Sequence, residues 1–380
     1  MPEPVTAYIG LGSNLGDRER MIRQALEMLG GNGSIVVTRV SDIKETAPLG
    51  QMDQPKYLNG VAEIKTALKP QELLQKLKAT EAALGRQPAG KWQPRPIDLD
   101  LLLFADRTVN RRGLVVPHPQ MHLRSFVLNG LCQLNPGLMH PVLQEPVSEL
   151  ARRLGGGDFV VDPEAPQLVS VAGIIGVGKT TLAKKLAEVL HGEVLYEPYG
   201  TNPFLPQVYA GKCELALDSQ LYFLVNRAEQ LDHDRLPPDR VFVTDYVFDK
   251  ELIYARRLLN AEQLKLYETI FPPFAARVAT PMLVIYLEDS PRGCLERIHS
   301  RNRPYEQQIA IEFLEALDQD YKKLFAGWKA CPVIRIPTSH LTGYGAPVIE
   351  HVVRQVRAYI AAGGSQEVYT NADPGRQDNR

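Results

Sequence analysis

The stretch that most restricts this chain begins at Leu168. A short apolar run, residues 168–172, passes without a spacer into Gly173-Ile-Ile-Gly176-Val-Gly178-Lys179-Thr180 and then into a helical pattern through residue 190. An apolar run this short, bounded by glycine, reads as a buried parallel strand, and Leu182, Leu186, Val189 and Leu190 fall on one helical face. Strand, glycine-rich loop and helix in immediate succession is the arrangement in which main-chain N–H groups wrap phosphate. Gly173, Gly176 and Gly178 free those amides, and the helix start adds its positive end. Lys179 supplies a point charge, and Thr180 offers a hydroxyl to Mg²⁺, with Thr181 beside it in the nucleotide-binding group. A bare glycine turn ahead of a helix is the weaker reading in this context. Further apolar strands at 241–243 and 282–287, separated by long helical stretches, predict a parallel sheet flanked by helices.

A second signature, Pro94-Arg95-Pro96-Ile97-Asp98-Leu99-Asp100, lies in the other half of the chain. In a strand over 97–104, Asp98 and Asp100 project from one face while Leu99 and Leu101 project from the other. Paired carboxylates of this kind suit Mg²⁺, which takes a few carboxylates together with phosphate oxygens and water. On spacing alone, a strand with one solvated face is the better explanation of the pair. One signature holds metal through carboxylates and the other holds phosphate through amides, so the expectation is two active sites in a fused chain. At 380 residues, 44% hydrophobic and 23% charged, the chain has room for two cores. Residues 5–150 alternate strand-like and helix-like stretches, with helices over 18–29 and 71–84, as in an α+β or α/β sandwich. The pattern breaks around Gly155-Gly156-Gly157 and Pro163-Glu-Ala-Pro166. The predicted organisation is a first domain over 1–158, a linker over 159–167, a second domain over 168–362 and a polar, disordered tail over 363–380.

Composition narrows the partners. The net charge of −1 argues against a nucleic-acid surface, and no apolar stretch is long enough for a membrane helix. Cys132, Cys213, Cys294 and Cys331 are scattered without metal or disulfide spacing, and the chain is expected to be cytoplasmic.

Around the carboxylate pair the chain carries Gly10-Leu-Gly12-Ser13-Asn14, Thr46-Ala-Pro48-Leu49-Gly50, Tyr57-Leu-Asn59, Trp92-Gln-Pro94-Arg95 and Val116-Pro117-His118. In this order they resemble the 6-hydroxymethyl-7,8-dihydropterin pyrophosphokinases, over residues 6–154. The resemblance implies a ferredoxin-like α/β sandwich and transfer of pyrophosphate from ATP to a pterin alcohol with release of AMP. It implies that Asp98 and Asp100 hold Mg²⁺ and that Arg86, Trp92 and Arg95 belong to a loop closing over the nucleotide. Thr46, Pro48, Leu49, Tyr57, Asn59 and Phe126 would form the pterin pocket, His118 and Arg124 would contact ATP, and Glu81 would be a nucleotide-facing acid. That loop is one residue shorter here than in relatives and lacks a second arginine that some carry.

After the glycine-rich loop come Tyr196-Glu197-Pro198, Gln220-Leu-Tyr222-Phe223 and Arg227, then Arg297, Arg301 and Arg303 within residues 294–306. These resemble the bacterial deoxynucleoside kinases over residues 168–362. The resemblance implies an α/β P-loop kinase, ATP and Mg²⁺, release of ADP, and a homodimer formed through the kinase helices. Glu197 would be the general base for the acceptor hydroxyl and Gln220 the reader of the base edge. Arg227, with Phe223 or Tyr222, would line the base, Asp245 would stand near Mg²⁺ or the acceptor hydroxyl, and the three arginines would form a lid. Where many relatives follow that acid with Arg and Ser, this chain has Tyr246 and Val247; Asp249 and Lys250 are the candidates to compensate. A nucleotide-sensing module without catalysis, or a nucleoside monophosphate kinase, stays open for this half, and Gln220 does not select the base.

Overall fold

The structure is a computed structural model and describes residues 3–31, 33–49, 53–87, 93–338 and 346–363. It divides into two compact units, one of residues up to Val160 together with the described residues from Ala361, and one of Val161–Ile360. The expected tail lies outside the described residues from 364 onward. Among the described residues no helix is long and apolar enough to cross a membrane.

In the first unit β1 (Val5–Ser13), α1 (Arg18–Gly30), β2 (Ile35–Val40), β3 (Lys44–Thr46), β4 (Tyr57–Thr66), α2 (Pro70–Ala83) and β5 (Asp98–Phe104) follow in order. Asp17 caps α1 by accepting from the Arg20 amide, and Pro70 opens α2, where its missing N–H costs nothing. The main strands pair antiparallel in the order β2-β4-β1-β5, with β3 also on β4. Two strand–helix–strand passages, each split by an intervening strand, are the ferredoxin-like arrangement. One sheet face buries Ala7, Ile9, Leu11, Leu99 and Leu101 under Ile22, Ala25 and Leu29 of α1 and Leu73 and Leu77 of α2. The hairpins β6 (Val109–Arg111) with β7 (Leu114–Val116) and β8 (Met139–His140) with β9 (Glu145–Pro146), and helices α3 (Ser125–Leu134) and α4 (Val147–Leu154), complete the unit. Phe159 N donates to Leu123 O at 2.9 Å, so the first residue of the expected linker is still bonded to this unit.

The second unit opens with β10 (Gln167–Ala172) and α5 (Lys179–Leu190), then β11 (Glu193–Leu195), α6 (Leu205–Tyr209) and α7 (Ala216–Gln230). It continues through β12 (Val241–Thr244), α8 (Lys250–Leu258), α9 (Ala261–Ala275), β13 (Leu283–Glu288), α10 (Pro291–Ser300), α11 (Ile311–Ala326), β14 (Val333–Pro337) and α12 (Ala346–Gly363). All strand pairs are parallel, in the order β11-β12-β10-β13-β14. The strands are apolar on both faces because helices cover both. The buried face of α5 differs from the expected one: Leu182, Ala183, Leu186 and Ala187 are buried, while Val189 is 40% exposed. Two alanines in the stripe let the helix lie close on the sheet and turn Val189 outward.

β5 carries the structural and the chemical demands on opposite faces, and Leu99 serves the first. Leu99→Ala should destabilise the first unit by about 2–5 kcal/mol in denaturant melting; a loss below about 1 kcal/mol would mean that this face is not packed.

Candidate active sites

In the first unit the site grows from strand register. Gly10 stands opposite Asp100 and Gly12 opposite Asp98 across β1 and β5, and on the other side Gly12 faces Asn59 of β4. The glycines leave the floor between the polar side chains open: a Cβ on Gly12 would stand 3.0 Å from Asn59 Oδ1. Above this floor lies a cavity of about 240 Å³. Around it the structure brings together Thr46, Pro48, Leu49, Tyr57, Asn59, Phe126, Arg86, Arg95, Asp98, Asp100, His118 and Arg124. Trp92 lies outside the described residues.

Charges inside the cavity are paired. Asp98 accepts from Arg86 and from Arg95 Nη1 at 3.0 Å, and Arg124 Nη1 lies 3.7 Å from Asp100. Desolvation pushes the Asp100 carboxyl up, but His118 when protonated, then Arg124, Lys78 and Arg95, outweigh it and leave it below the ordinary carboxylate range. Asn59 Nδ2 donates to Thr46 Oγ1 at 2.7 Å, fixing which edge of the amide meets a ligand.

Glu81 departs from its expected place as a nucleotide-facing acid. It is buried and accepts from the Leu99 amide at 2.7 Å, from Lys78 Nζ at 2.9 Å and from Arg86. Burial raises its pKa, partly offset by Lys78. It therefore anchors α2 to β5 and aims Arg86. Lys78, also on the cavity wall, was missed in the sequence; its signal is position, one helical turn before Glu81 on the same face.

In the second unit the chain ends of neighbouring parallel strands each deliver a group, as expected where a parallel sheet binds at the carboxyl ends of its strands. After β10, Gly173 (φ +139°), Gly176 (φ +82°) and Gly178 (φ +104°) take left-handed backbone. A Cβ on Gly176 would stand 2.5 Å from Cys294 O. Lys179 Nζ donates to Ile174 O at 2.9 Å within the loop; desolvation lowers its pKa, opposed by Glu197 and Asp245. Glu197 follows β11 and Asp245 follows β12. Asp245 accepts from Thr180 Oγ1 at 2.6 Å and from the Glu197 amide at 2.7 Å.

A cavity of about 100 Å³ is lined by Gly176, Lys179, Thr180, Glu197, Gln220, Phe223, Arg227, Asp245, Arg301 and Arg303. Glu197 accepts from Arg227 and from Lys250 Nζ at 2.6 Å. Burial works against its charge, but Lys250 and Arg227 overcome it and hold the carboxyl far below its ordinary value. Gln220 Oε1 and Arg227 Nε are buried with no hydrogen-bond partner among the described residues.

Residues 8–136 match the 7,8-dihydro-6-hydroxymethylpterin-pyrophosphokinase (HPPK) family, and residues 169–361 match the deoxynucleoside kinase family. The chain belongs to both families. The 2-amino-4-hydroxy-6-hydroxymethyldihydropteridine pyrophosphokinase of Bacillus subtilis is 48% identical over 128 residues, 34% of this chain and 77% of that protein. The protein of the same name from Aquifex aeolicus is 40% identical over 144 residues, 38% of this chain and 89% of that protein. A solved deoxyadenosine kinase from M. mycoides, with products dCMP and a flexible dCDP bound, aligns at 21% identity over 50% of this chain and 98% of its own, with a TM-score of 0.44.

In the kinase unit several expected site residues stand elsewhere than around the cavity. Thr181 is exposed on α5 and does not line it, and of the two aromatics Phe223 lines it while Tyr222 packs edge-on against Phe223 at 6.4 Å. Arg297 and Arg301 do not act as one face: Arg297 donates to Gly176 O at 2.8 Å and to Asp289, whereas Arg301, just past α10, pairs with Glu306 at 2.6 Å. Arg303 donates to the Tyr199 hydroxyl at 2.6 Å. Tyr246 and Val247 are core residues; the Tyr246 hydroxyl donates to Gln230 Oε1 at 2.8 Å. Asp249 is exposed at the start of α8, and Lys250 is the neighbour that lines the cavity. Glu251 and Tyr199 were missed, being unremarkable in an acidic or aromatic local context.

In the pyrophosphokinase unit His122 and His140 meet edge to face with ring centroids 6.1 Å apart. Burial takes His140 down to about 4 and His122 well below its ordinary value, so both are neutral in the folded state. Their folded pKa values lie below the unfolded one, so their contribution is complete above about pH 6.5 and is lost as pH falls toward 4. Melting temperatures from pH 7 to 4 should fall through this window, less steeply in His140→Asn. A midpoint independent of pH would overturn the neutral assignment.

Proposed function

We propose that the chain is a two-headed enzyme: a pyrophosphokinase transferring the β,γ-pyrophosphate of ATP to 6-hydroxymethyl-7,8-dihydropterin, and a kinase transferring the γ-phosphate of ATP to the 5′-hydroxyl of a deoxynucleoside. The reading is carried by one observation, that each unit gathers cations for a polyphosphate and polar groups for an acceptor around a cavity of its own.

In the first head Asn59 and Thr46 pair with the pterin edge, and Phe126 and Leu49 cover its ring. The pterin hydroxymethyl oxygen attacks the β-phosphorus and gives up its proton to solvent; the bond from the β-phosphorus to the oxygen bridging the α-phosphate breaks, and AMP leaves with that oxygen. Arg86, Arg95 and Arg124 take up charge on the transferred group, and the neutral His118, whose pKa burial lowers to about 4, donates a hydrogen bond without adding charge. In the second head Glu197 receives the 5′-hydroxyl proton as the new bond to the γ-phosphorus forms and ADP departs. Lys179, Arg301 and Arg303 neutralise the phosphates. The donor sets fit Mg²⁺: Asp98 and Asp100 present hard oxygens side by side on β5, and the Thr180 hydroxyl and Asp245 carboxylate lie in contact. When bound, Mg²⁺ supplies charge neutralisation and orientation of the phosphates.

Purified chain with MgATP and either the pterin or one of four deoxynucleosides should give AMP in the first case and ADP in the second. Asp98→Ala should lower AMP formation roughly a hundredfold or more and leave ADP formation alone, and Glu197→Gln should do the reverse. Loss of both products in either variant would exclude two independent sites. Phosphorylation of a deoxynucleoside monophosphate in place of the deoxynucleosides would reassign the acceptor.

A further inference from the structure

The acceptor side of the second cavity holds more charge than the steps above use. Arg227 donates to Glu197 on one side and to Glu251 on the other, and Glu251, fully buried, also accepts from the Tyr267 hydroxyl. Arg227 is thereby fixed from behind and cannot follow Glu197 if the carboxylate turns. The second hydrogen bond to Glu197 comes from Lys250, the first residue of α8, whose side chain is 3% exposed and whose ammonium lies 4.9 Å from the Tyr254 ring centre. Glu197 is its carboxylate partner among the described residues. Two cations and two carboxylates thus cancel at the cavity wall, with Lys250, Arg227 and Glu251 buried and Glu197 turned partly toward the opening. Removing either cation leaves a buried negative charge unanswered. No cation comes from positions 246 and 247, because Tyr246 and Val247 are turned into the core.

We propose that Lys250 is the positioning cation of the acceptor site, holding the Glu197 carboxylate in the orientation that receives the acceptor's proton. This rests on reading the second unit as a phosphotransferase to a deoxynucleoside hydroxyl. One hydrogen bond from a fixed guanidinium leaves the carboxylate free to rotate, and a second from an independent element ends that freedom. Burial lowers the Lys250 pKa to about 8; Glu197 pulls it up, while Arg227 of α7 and Lys179 of α5 push it down. Tyr254 faces it from its own helix, and Tyr321 of α11 lies within reach of the same charges. Lys250 therefore gives up its proton, and its hold on Glu197, just above neutrality.

The experiment uses the full chain with MgATP and deoxyadenosine, deoxyguanosine, deoxycytidine or thymidine, following kcat and KM from pH 6 to 10. Wild type should lose kcat on an alkaline limb near pH 8. Lys250→Met should lower kcat roughly a hundredfold with the KM for ATP within about twofold of wild type. Lys250→Arg should recover at least about a tenth of kcat and lack the alkaline limb, since a guanidinium keeps its proton. Wild-type turnover in Lys250→Met, or an unchanged alkaline limb in Lys250→Arg, overturns the role of Lys250 and leaves the phosphotransferase reading standing. Absence of product from the wild-type chain with every acceptor rejects that reading, and the role with it. The wild-type pH profile and Lys250→Arg decide the matter even if Lys250→Met does not fold.

Discussion

A carboxylate drawn out of water must be answered by positive charge, and both cavities are arranged around that demand. In the first, Asp98 is met by Arg86 and Arg95, and Arg86 is itself steadied by Glu81, so the charge alternates from α2 through the cavity floor to β5. In the second the alternation runs Lys250, Glu197, Arg227, Glu251 and ends on the Tyr267 hydroxyl. In the first cavity the alternation sets two arginines at a fixed spacing, and in the second it fixes a carboxylate between two cations.

The two units reach this arrangement through different sheets. An antiparallel sheet offers one face, so the chemistry sits on a strand surface and needs glycines in the neighbouring strand to make room; Gly10 and Gly12 serve that purpose inside β1. A parallel sheet covered on both faces offers its carboxyl edge instead, and the functional groups come from the residues that follow β10, β11 and β12. Side-chain rows position the first site and chain reversals the second. That difference explains why glycine is extended backbone in one and left-handed backbone in the other.

Much of this was legible in the residues themselves. The alternation around Asp98 and Asp100 specifies both the strand and which side carries the acids, and the glycine-rich loop declares its strand and helix by adjacency. What stayed hidden has physical causes. β1 runs on through Gly10 and Gly12 to Ser13, because glycines that normally argue against a strand are required by the cavity beside it. Glu81 looks solvated from helical spacing alone; only the pairing of α2 with β5 shows it covered. The change at 246 and 247 left Asp249 and Lys250 as candidates to compensate, and only the fold separates them: Asp249 is exposed and Lys250 lines the cavity. Tertiary direction, set by where α8 starts, is not written in local pattern.

Gln220 carries a consequence of a different kind. Its carbonyl oxygen is buried beside the cavity with no donor among the described residues, and an acceptor left unmet there costs about 1–3 kcal/mol. A ligand that brings an N–H to that point relieves the deficit, and one that brings a carbonyl or a C–H leaves it in place. Discrimination then arises from rejection of the wrong edge more than from extra grip on the right one. A site of this sort can be selective while binding its preferred ligand only moderately.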